Sequence, residues 1–379
     1  MGLRALTEAV AKLHLGITAS WQDLTAGRPS QNTSAVVQAP LGSLRVLAVV
    51  PGDGQGSSFI FVRRQVASLA NVGVNVRTFF VRSRISPVGI AKEWGRLRRE
   101  IRQFRPHLVH AHYGTVTSFL CAVATSIPLV ITFRGNDLGD DPDISLLRSR
   151  LGQVLSQLSC LRAKGIICVS RLLHDRLWWH QSRAVVIPTG VDLDVFRPQR
   201  RDQARALLGW EQGERVVVFD EGCAPRRKGL KFLQSAIRLA EQTVGPIRLV
   251  ILDRSIPPEL VPRYLSASDC LALASVFEGS PNIVKEALAC NLPVVATDVG
   301  DVSERLREVF PSRVVKRDVV EFANALTDVL LDGRRSNGRE QVEDCSLPRV
   351  AEAIRSVYES LCPPRILQKL RSPDGIVQG

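Results

Sequence analysis

Two glutamates bracket a tight turn in the stretch SVFEGSPNIVKEALACNLPVVATDVGD, which runs from Ser275 to Asp301. Glu278 follows the apolar run CLALAS, and Glu286 lies eight positions further on, inside NIVKEALA. A charged residue just after a buried strand stands at the edge where open α/β sheets bind ligands. Gly279 supplies backbone freedom for the turn, Ser280 suits an N-cap and Pro281 suits the first helical position. From Asn282 and Ile283 onward, the N–H groups of the helix start are expected to attract phosphate or another anion. Glu286 sits just past that point, where a carboxylate can accept hydrogen bonds from vicinal hydroxyls such as those of a ribose. Glu278 can do the same for a sugar ring on the other side. The spacing suits a ligand built as sugar, diphosphate and nucleoside. Taken alone, it also suits a capped surface helix with incidental glutamates.

A second anion feature lies upstream in CAPRRKGL, which follows the apolar run RVVVFDEG. Arg226, Arg227 and Lys228 would stand at that strand's carboxyl end, where cations can grip a diphosphate. Three cations at a helix start oppose the helix dipole, a mild cost that a plain surface loop would have no reason to carry. GDGQGSS, from Gly52 to Ser58, follows the first long apolar run. It lacks the Lys-Ser/Thr of a P-loop and the full spacing of a dinucleotide fingerprint, but Gly54 would allow a ligand close to the backbone. His110 and His112 in HAHYG end another strand, where either a core or a ligand role is open. Asp137 in RGNDL is placed at a strand end facing a cleft, as the acceptor-side candidate.

Strands and helices alternate from Leu44 onward, which predicts parallel, doubly wound α/β sheets. One set runs from LRVLAVVP to VIPTGVDLDVFRP and a second from RVVVFDEG onward. A chain of 379 residues is the length of two such units. The reading is an N-terminal extension and linker over 1–43, one unit over 44–198, a second over 199–346, and a C-terminal helix and tail over 347–379. In the extension, Leu3, Leu6, Val10, Leu13 and Ile17 recur at helical spacing, and a Gly-, Pro- and Ser-rich stretch follows.

The net charge is 50 − 37 = +13, which is compatible with nucleic acid, an anionic membrane surface or a phosphorylated substrate. The basic runs lack interleaved aromatics and no zinc finger is present, so nucleic acid is not expected. The eight cysteines are scattered without a C-x-x-C pair, as small core residues of a reducing compartment would be. No apolar run is long enough to span a bilayer, and the start lacks the pattern of a secretory signal. The expected location is cytoplasmic, with peripheral contact at the inner membrane face left open.

The motifs together resemble the retaining glycosyltransferases of family four. EGSPNIVKEALACNLPVVATDVGD is similar to that family's signature of two glutamates separated by seven residues, and VIPTGVDLDVFRP to its hinge. PRRKGL, LVHAHYG and VSRLLHDRL also match, in order, over about residues 45–360. The resemblance implies a GT-B fold, two Rossmann-like domains facing across a cleft. It implies that Glu278 binds donor-sugar hydroxyls, Glu286 the nucleotide ribose and Lys228 the diphosphate, with N–H groups near Ser280, Asn282 and Ile283 assisting. The implied donor is a nucleotide sugar such as a UDP- or GDP-sugar, and the acceptor a glycan or lipid-linked glycan. No separate cofactor and no metal are implied, because cations and a helix dipole stabilise the leaving diphosphate. Asp141-Pro142-Asp143 imitates the acidic metal triplet of a different glycosyltransferase fold, and no metal is expected there.

Two positions depart from the family pattern. Cys223 stands where many members have an Arg, so Arg226 or Arg227 is expected to replace its charge. Arg134 stands where a His usually contacts the donor sugar. It is kept as a catalytic candidate beside Glu278 and Asp137, one that would favour a charged or differently substituted donor. The segment between VILD and SIPPEL is short, which leaves the base preference open. A sugar-nucleotide epimerase or hydrolase of the same fold, and a binding subunit without turnover, are the rival readings.

Overall fold

The computed structural model describes residues 43–55, 59–222, 224–253 and 255–363. The helix and linker expected over 1–43, all but Ser43, lie outside them, as do Cys223 and the tail from 364.

Two parallel sheets carry the chain. The first has six strands: β1 (Leu44–Pro51), β2 (Val74–Val81), β3 (Leu108–His112), β4 (Leu129–Phe133), β5 (Gly165–Cys168) and β6 (Ala184–Val186). They lie in the order β2-β1-β3-β4-β5-β6. The second has five: β7 (Arg215–Asp220), β8 (Ile247–Leu252), β9 (Cys270–Leu273), β10 (Val294–Thr297) and β11 (Arg313–Val315). Their order is β11-β10-β9-β7-β8. Central strands such as LVITF and CLAL are almost wholly apolar, Thr132 excepted, and buried on both faces, because helices cover each side of a parallel sheet. In both sheets the strand order reverses beside the first strand, the point at which α/β sheets open a crevice at their carboxyl ends.

On one face of the first sheet lie α2 (Pro87–Phe104), α3 (Thr115–Ala124), α4 (Leu146–Cys160) and α5 (Arg171–Asp175). They supply Leu97, Leu120, Cys160 and Leu173 to a core shared with Leu47, Val109 and Ile131 of the strands. Ser86 caps α2, accepting from the Gly89 amide at 3.3 Å, and Pro87 opens the helix. The stretch RLLHDRLWWH is α-helical only over the five residues of α5. Beyond it, the Gln157 side chain donates to the Arg176 carbonyl (2.8 Å) and accepts from the Trp178 amide (3.0 Å), replacing the helical ladder.

The opposite face is covered by α1 (Ile60–Asn71) and by α13 (Leu347–Leu361), the last helix of the chain. The second sheet is flanked by α6 (Arg201–Leu208), α7 (Pro225–Lys228), α8 (Leu230–Val244), α9 (Val261–Ala267), α10 (Asn282–Ala289), α11 (Val302–Leu306) and α12 (Val319–Asp332). Leaving that sheet, α13 returns to the first and packs Val350, Ile354 and Tyr358 against Val46, Leu108 and Val130. The seven cysteines within the described residues are unpaired and buried, Cys168 and Cys290 among them. Among the described residues no helix is long and apolar enough to cross a membrane.

The return of α13 makes the N-terminal sheet depend on the C-terminal end of the chain. Ile354 is wholly buried there. Ile354→Ala should cost about 2–5 kcal/mol in urea unfolding, whereas Glu352→Ala on the exposed side of the same helix should cost under about 0.5 kcal/mol.

Candidate functional site

Two loops at the carboxyl ends of β7 and β9 bring the predicted cations and Glu278 together. β7 ends in Asp220, and α7 carries Arg227 and Lys228. Gly229 then turns the chain in the left-handed region (φ 80°), and a side chain there would collide with the Ala274 carbonyl just past β9. Lys228 Nζ lies 3.0 Å from Asp220 Oδ2 and 3.1 Å from Glu278 Oε1. Arg227 Nη1 lies 2.8 Å from the same Glu278 oxygen and donates to the Phe277 carbonyl at 3.2 Å. Ser275 Oγ donates to it as well, at 3.0 Å. The shortest contacts of Lys228 and Arg227 to Glu278, and that of Ser275, all meet Oε1.

Burial works against every charge in this cluster, yet the opposite charges prevail. The Glu278 carboxyl is held below its usual range by Lys228 and Arg227 despite its desolvation. Lys228, likewise desolvated, is pushed up to about 12 by Asp220 and Glu278. Arg227 is thus a second cation beside Lys228 on the same carboxylate. Arg226 is exposed, and its contribution is its amide.

The turn after Glu278 differs from expectation in one detail. Pro281, not Ser280, occupies the cap position of α10, and it makes no side-chain cap. The Ser280 hydroxyl is committed elsewhere: it donates to Asp301 Oδ2 at 2.7 Å and accepts from Lys285 Nζ at 2.6 Å. Lys285 is buried within α10, and its desolvation lowers its pKa. This Lys285–Ser280–Asp301 chain ties the turn to the helix behind it. Asn282 and Ile283 open α10, so their amides are among those without an intrahelical partner. The Ile283 side chain belongs to the core, leaving its amide as the group a ligand can meet.

Glu286 is half-buried in the same helix and makes no hydrogen bond or ion pair with the described residues. Desolvation raises its carboxyl to about 7, partly opposed by Arg64 of α1.

The first sheet's loops approach this turn directly. The Cα of Gly279 rests against the Arg134 carbonyl, and a Cβ built there would lie 2.1 Å from that oxygen, so only glycine fits. Asp143 accepts from the amides of Arg226 (3.3 Å) and Arg227 (3.1 Å), joining the two halves at α7. Asp141 bonds to Asn136 and to the Asp143 amide. Among the described residues no group of three or more His, Cys, Asp or Glu side chains could hold a metal ion. Gly54 adopts φ 82°, stacks its Cα on the Phe80 ring and gives its carbonyl to Arg63 Nη1 at 2.7 Å. The group packed against Gly54 is the Phe80 ring, so the turn needs glycine for that contact.

Two candidates are corrected. Asp137 does not face the cleft: it is fully enclosed, and its carboxylate accepts from the amides of Gly114, Arg134 and Gly135 at 2.7–3.0 Å. It pins the loop after β4. Burial raises its pKa, opposed by those three amides. The Arg134 guanidinium turns inward, where it donates to Thr189 (3.1 Å), Gln65 (3.3 and 3.4 Å) and His112 Nδ1 (3.1 Å). Desolvation brings it down to about 10, so it stays cationic. Because guanidinium only donates, His112 Nδ1 must accept and its Nε2 carries the proton. His110 bridges Tyr358 of α13 (2.6 Å) and Thr132 (2.7 Å). Burial holds both imidazoles neutral, which favours the core role for the pair.

Sequence reasoning missed Asp220 and Lys285, and it read Asp143 only as part of an acidic triplet, without its hold on the α7 amides. An aspartate closing an apolar strand and a lysine inside NIVKEALA were the available signals. Glu286 generates a stability prediction. Its folded carboxyl titrates near 7 against an ordinary 4.5, so between those values the folded protein holds a proton the unfolded chain has released. That contribution is full below about pH 4.5 and is lost as pH rises through about 7. Relative to wild type, Glu286→Gln should gain ~2–4 °C in Tm over that window and stay level above it. A difference that does not change with pH would mean that Glu286 has a charge partner.

With this geometry in place, comparison with known proteins is informative. Residues 47–195 match Glycosyltransferase Family 4, and residues 250–332 match Glycosyl transferases group 1. A protein named as a teichuronic acid biosynthesis glycosyltransferase in Bacillus subtilis is 29% identical over 228 residues, covering 53% of this chain and 56% of that one. The chain spans less than two thirds of the length of the first curated relatives it matches. Sucrose-phosphate synthase of Thermosynechococcus elongatus superposes with a TM-score of 0.69 at 19% identity, over 84% of this chain and 99% of that one. HepE of Anabaena, solved with UDP and glucose, does so at 0.65 and 16%, over 83% and 99%. At such identities the structures speak for the fold, and with the two family matches they place the chain among the family four glycosyltransferases of GT-B fold.

Proposed function

We propose that this protein transfers a sugar from a nucleoside-diphosphate sugar to a glycan or lipid-linked glycan, with retention of configuration. The observation that carries the reading is the shared carboxylate. Glu278 meets both Lys228 and Arg227 at its Oε1, just before the turn that opens α10. Two cations and the free amides of a helix start suit a diphosphate, and the adjacent carboxylate suits the sugar it carries. Glu286, unpaired and reluctant to ionise, suits the ribose hydroxyls. HepE, of the same fold, was solved with UDP-sugar components, which supports a nucleotide sugar as the donor class.

In the reaction the bond between the anomeric carbon and the diphosphate oxygen breaks while the acceptor hydroxyl attacks from the same face. Lys228, Arg227 and the amides of Asn282 and Ile283 take up the charge that develops on the leaving diphosphate. A diphosphate oxygen accepts the acceptor proton. Asp137, sealed beneath three amides, is not the base. Because the cations and helix start receive the leaving group, the reading needs no metal.

The test is a transfer assay with UDP- and GDP-sugars and an acceptor mixture of glycans and lipid-linked glycans, with the product linkage read by proton NMR. A product that keeps the donor's anomeric configuration, with at least ~100-fold slower formation in Glu278→Gln at unchanged folding, is expected. An inverted product would overturn retention. Donor binding without turnover would favour the binding-subunit reading, and an epimerised donor formed without acceptor would favour the epimerase.

A further inference from the structure

The helix face farthest from the first sheet carries an apolar stripe that the fold leaves uncovered. On α4, Leu147, Leu151, Val154, Leu158 and Leu161 recur at alternating spacings of four and three, which places them on one side of the helix. All five are exposed, Leu147 by 82%. The stripe is not confined to one helix. Trp178 and Trp179, packed edge to face at 5.5 Å, follow α5, and the Gln157 side chain of α4 fixes that segment beside the stripe. Val123 of α3 and Trp94 of α2 extend it on the other side, joined by a hydrogen bond from Trp94 Nε1 to the Val123 carbonyl.

Cations outnumber acids around the stripe; Asp140 pairs with Arg150, and Asp175 of α5 sits beside His174. α3 is uncharged, and α4 carries Arg148 and Arg150 but no acid. α2 has five cations and two glutamates, and both glutamates are already paired, with Arg96 and Arg77. Arg98, Arg99 and Arg102 are exposed. Between β2 and α2 lies a depression of ≈ 280 Å³ lined by Arg82, Arg96 and Arg99 with Glu100. Arg84, in the turn before α2, feels the charge of Arg148 on α4, so these basic groups border the apolar ones.

We infer that this face of the N-terminal half docks on an anionic lipid surface, with the α4 leucines and Trp178 entering the headgroup layer and the α2 arginines meeting lipid phosphates. Leucine and tryptophan edges beside unpaired arginines are the composition of interfacial elements. A second copy of this chain would bring like charges together along the same rim, which disfavours self-association there. The inference stands whether or not the chain transfers sugar.

The test is sedimentation of the purified full chain with vesicles of phosphatidylcholine alone, and of phosphatidylcholine with phosphatidylglycerol at about two to one. No donor is added. Binding to the anionic vesicles is expected, at least ~10-fold stronger than to the neutral ones and reduced by ~0.5 M salt. A Leu147→Ser, Leu151→Ser, Leu158→Ser variant and an Arg99→Glu, Arg102→Glu variant should each weaken it by ~10-fold or more with unchanged circular dichroism. Absence of binding to anionic vesicles would overturn the proposal. So would binding that both variants retain but removal of residues 1–43 abolishes. A wild-type dimer that the leucine variant converts to monomer, without lipid binding, would show that a second copy covers the stripe.

Discussion

One carboxylate oxygen holds the site together. Glu278 Oε1 is shared by a lysine, an arginine and a serine from two loops of the second sheet. Burying Arg227, Lys228 and Glu278 individually would cost several kcal/mol each. Grouped, they stabilise one another, with Asp220 as the fourth member. The cations are thus kept desolvated and charged by their own carboxylate partners. The same pairing means that an arriving anion competes with Glu278 for Lys228 and Arg227. An incoming sugar can offset that competition by giving Glu278 hydroxyl partners in exchange.

The surrounding structure serves this cluster. Gly229 lets α7 approach the end of β9, and Gly279 lets the following turn rest on the Arg134 carbonyl. Asp143 reaches from the first sheet to the amides of α7, so the cation-bearing loop is held from both halves. Lys285, Ser280 and Asp301 brace the turn from behind. Asp137 and Arg134 are one layer further out. They shape the loop that Gly279 touches, through backbone amides and a buried polar chain that reaches Tyr358 of the last helix by way of two stacked histidines. By returning to the first sheet, α13 therefore supports the loop against which the Gly279 turn packs.

Much of this was legible from residue order. Val- and Ile-rich runs punctuated by glycine could only be strands of a parallel sheet, and charges directly after them had to lie at its carboxyl edge. Glu278 and Lys228 were placed at that edge in this way, and Glu286 inside the helix that follows it. Side-chain direction was not legible. Asp137 and Arg134 also follow a strand, but three amides and a histidine with its neighbours draw them inward, and such partners come from positions far away in the chain. Ser280 looked like a cap because its type and place were right; a lysine five residues later and an aspartate twenty-one residues later claim its hydroxyl instead. The leucines of α4 had the spacing of a buried face, yet the sheet is satisfied by Ser156 and Cys160 on the other side of that helix. Amphipathic spacing reveals that a helix has two faces without revealing what will meet each.

The central claim is that Glu278 serves two ends, restraining the diphosphate-binding cations and receiving the sugar. Calorimetry without added metal, comparing the preferred nucleotide sugar with its nucleoside diphosphate on wild type and Glu278→Gln, separates the two. If the claim holds, the variant binds the nucleoside diphosphate as tightly as wild type or more tightly, because Lys228 and Arg227 have lost their internal partner. It then binds the nucleotide sugar ~10-fold more weakly than wild type. Equal weakening of both ligands would contradict the claim, reducing Glu278 to a structural support of the cation loop.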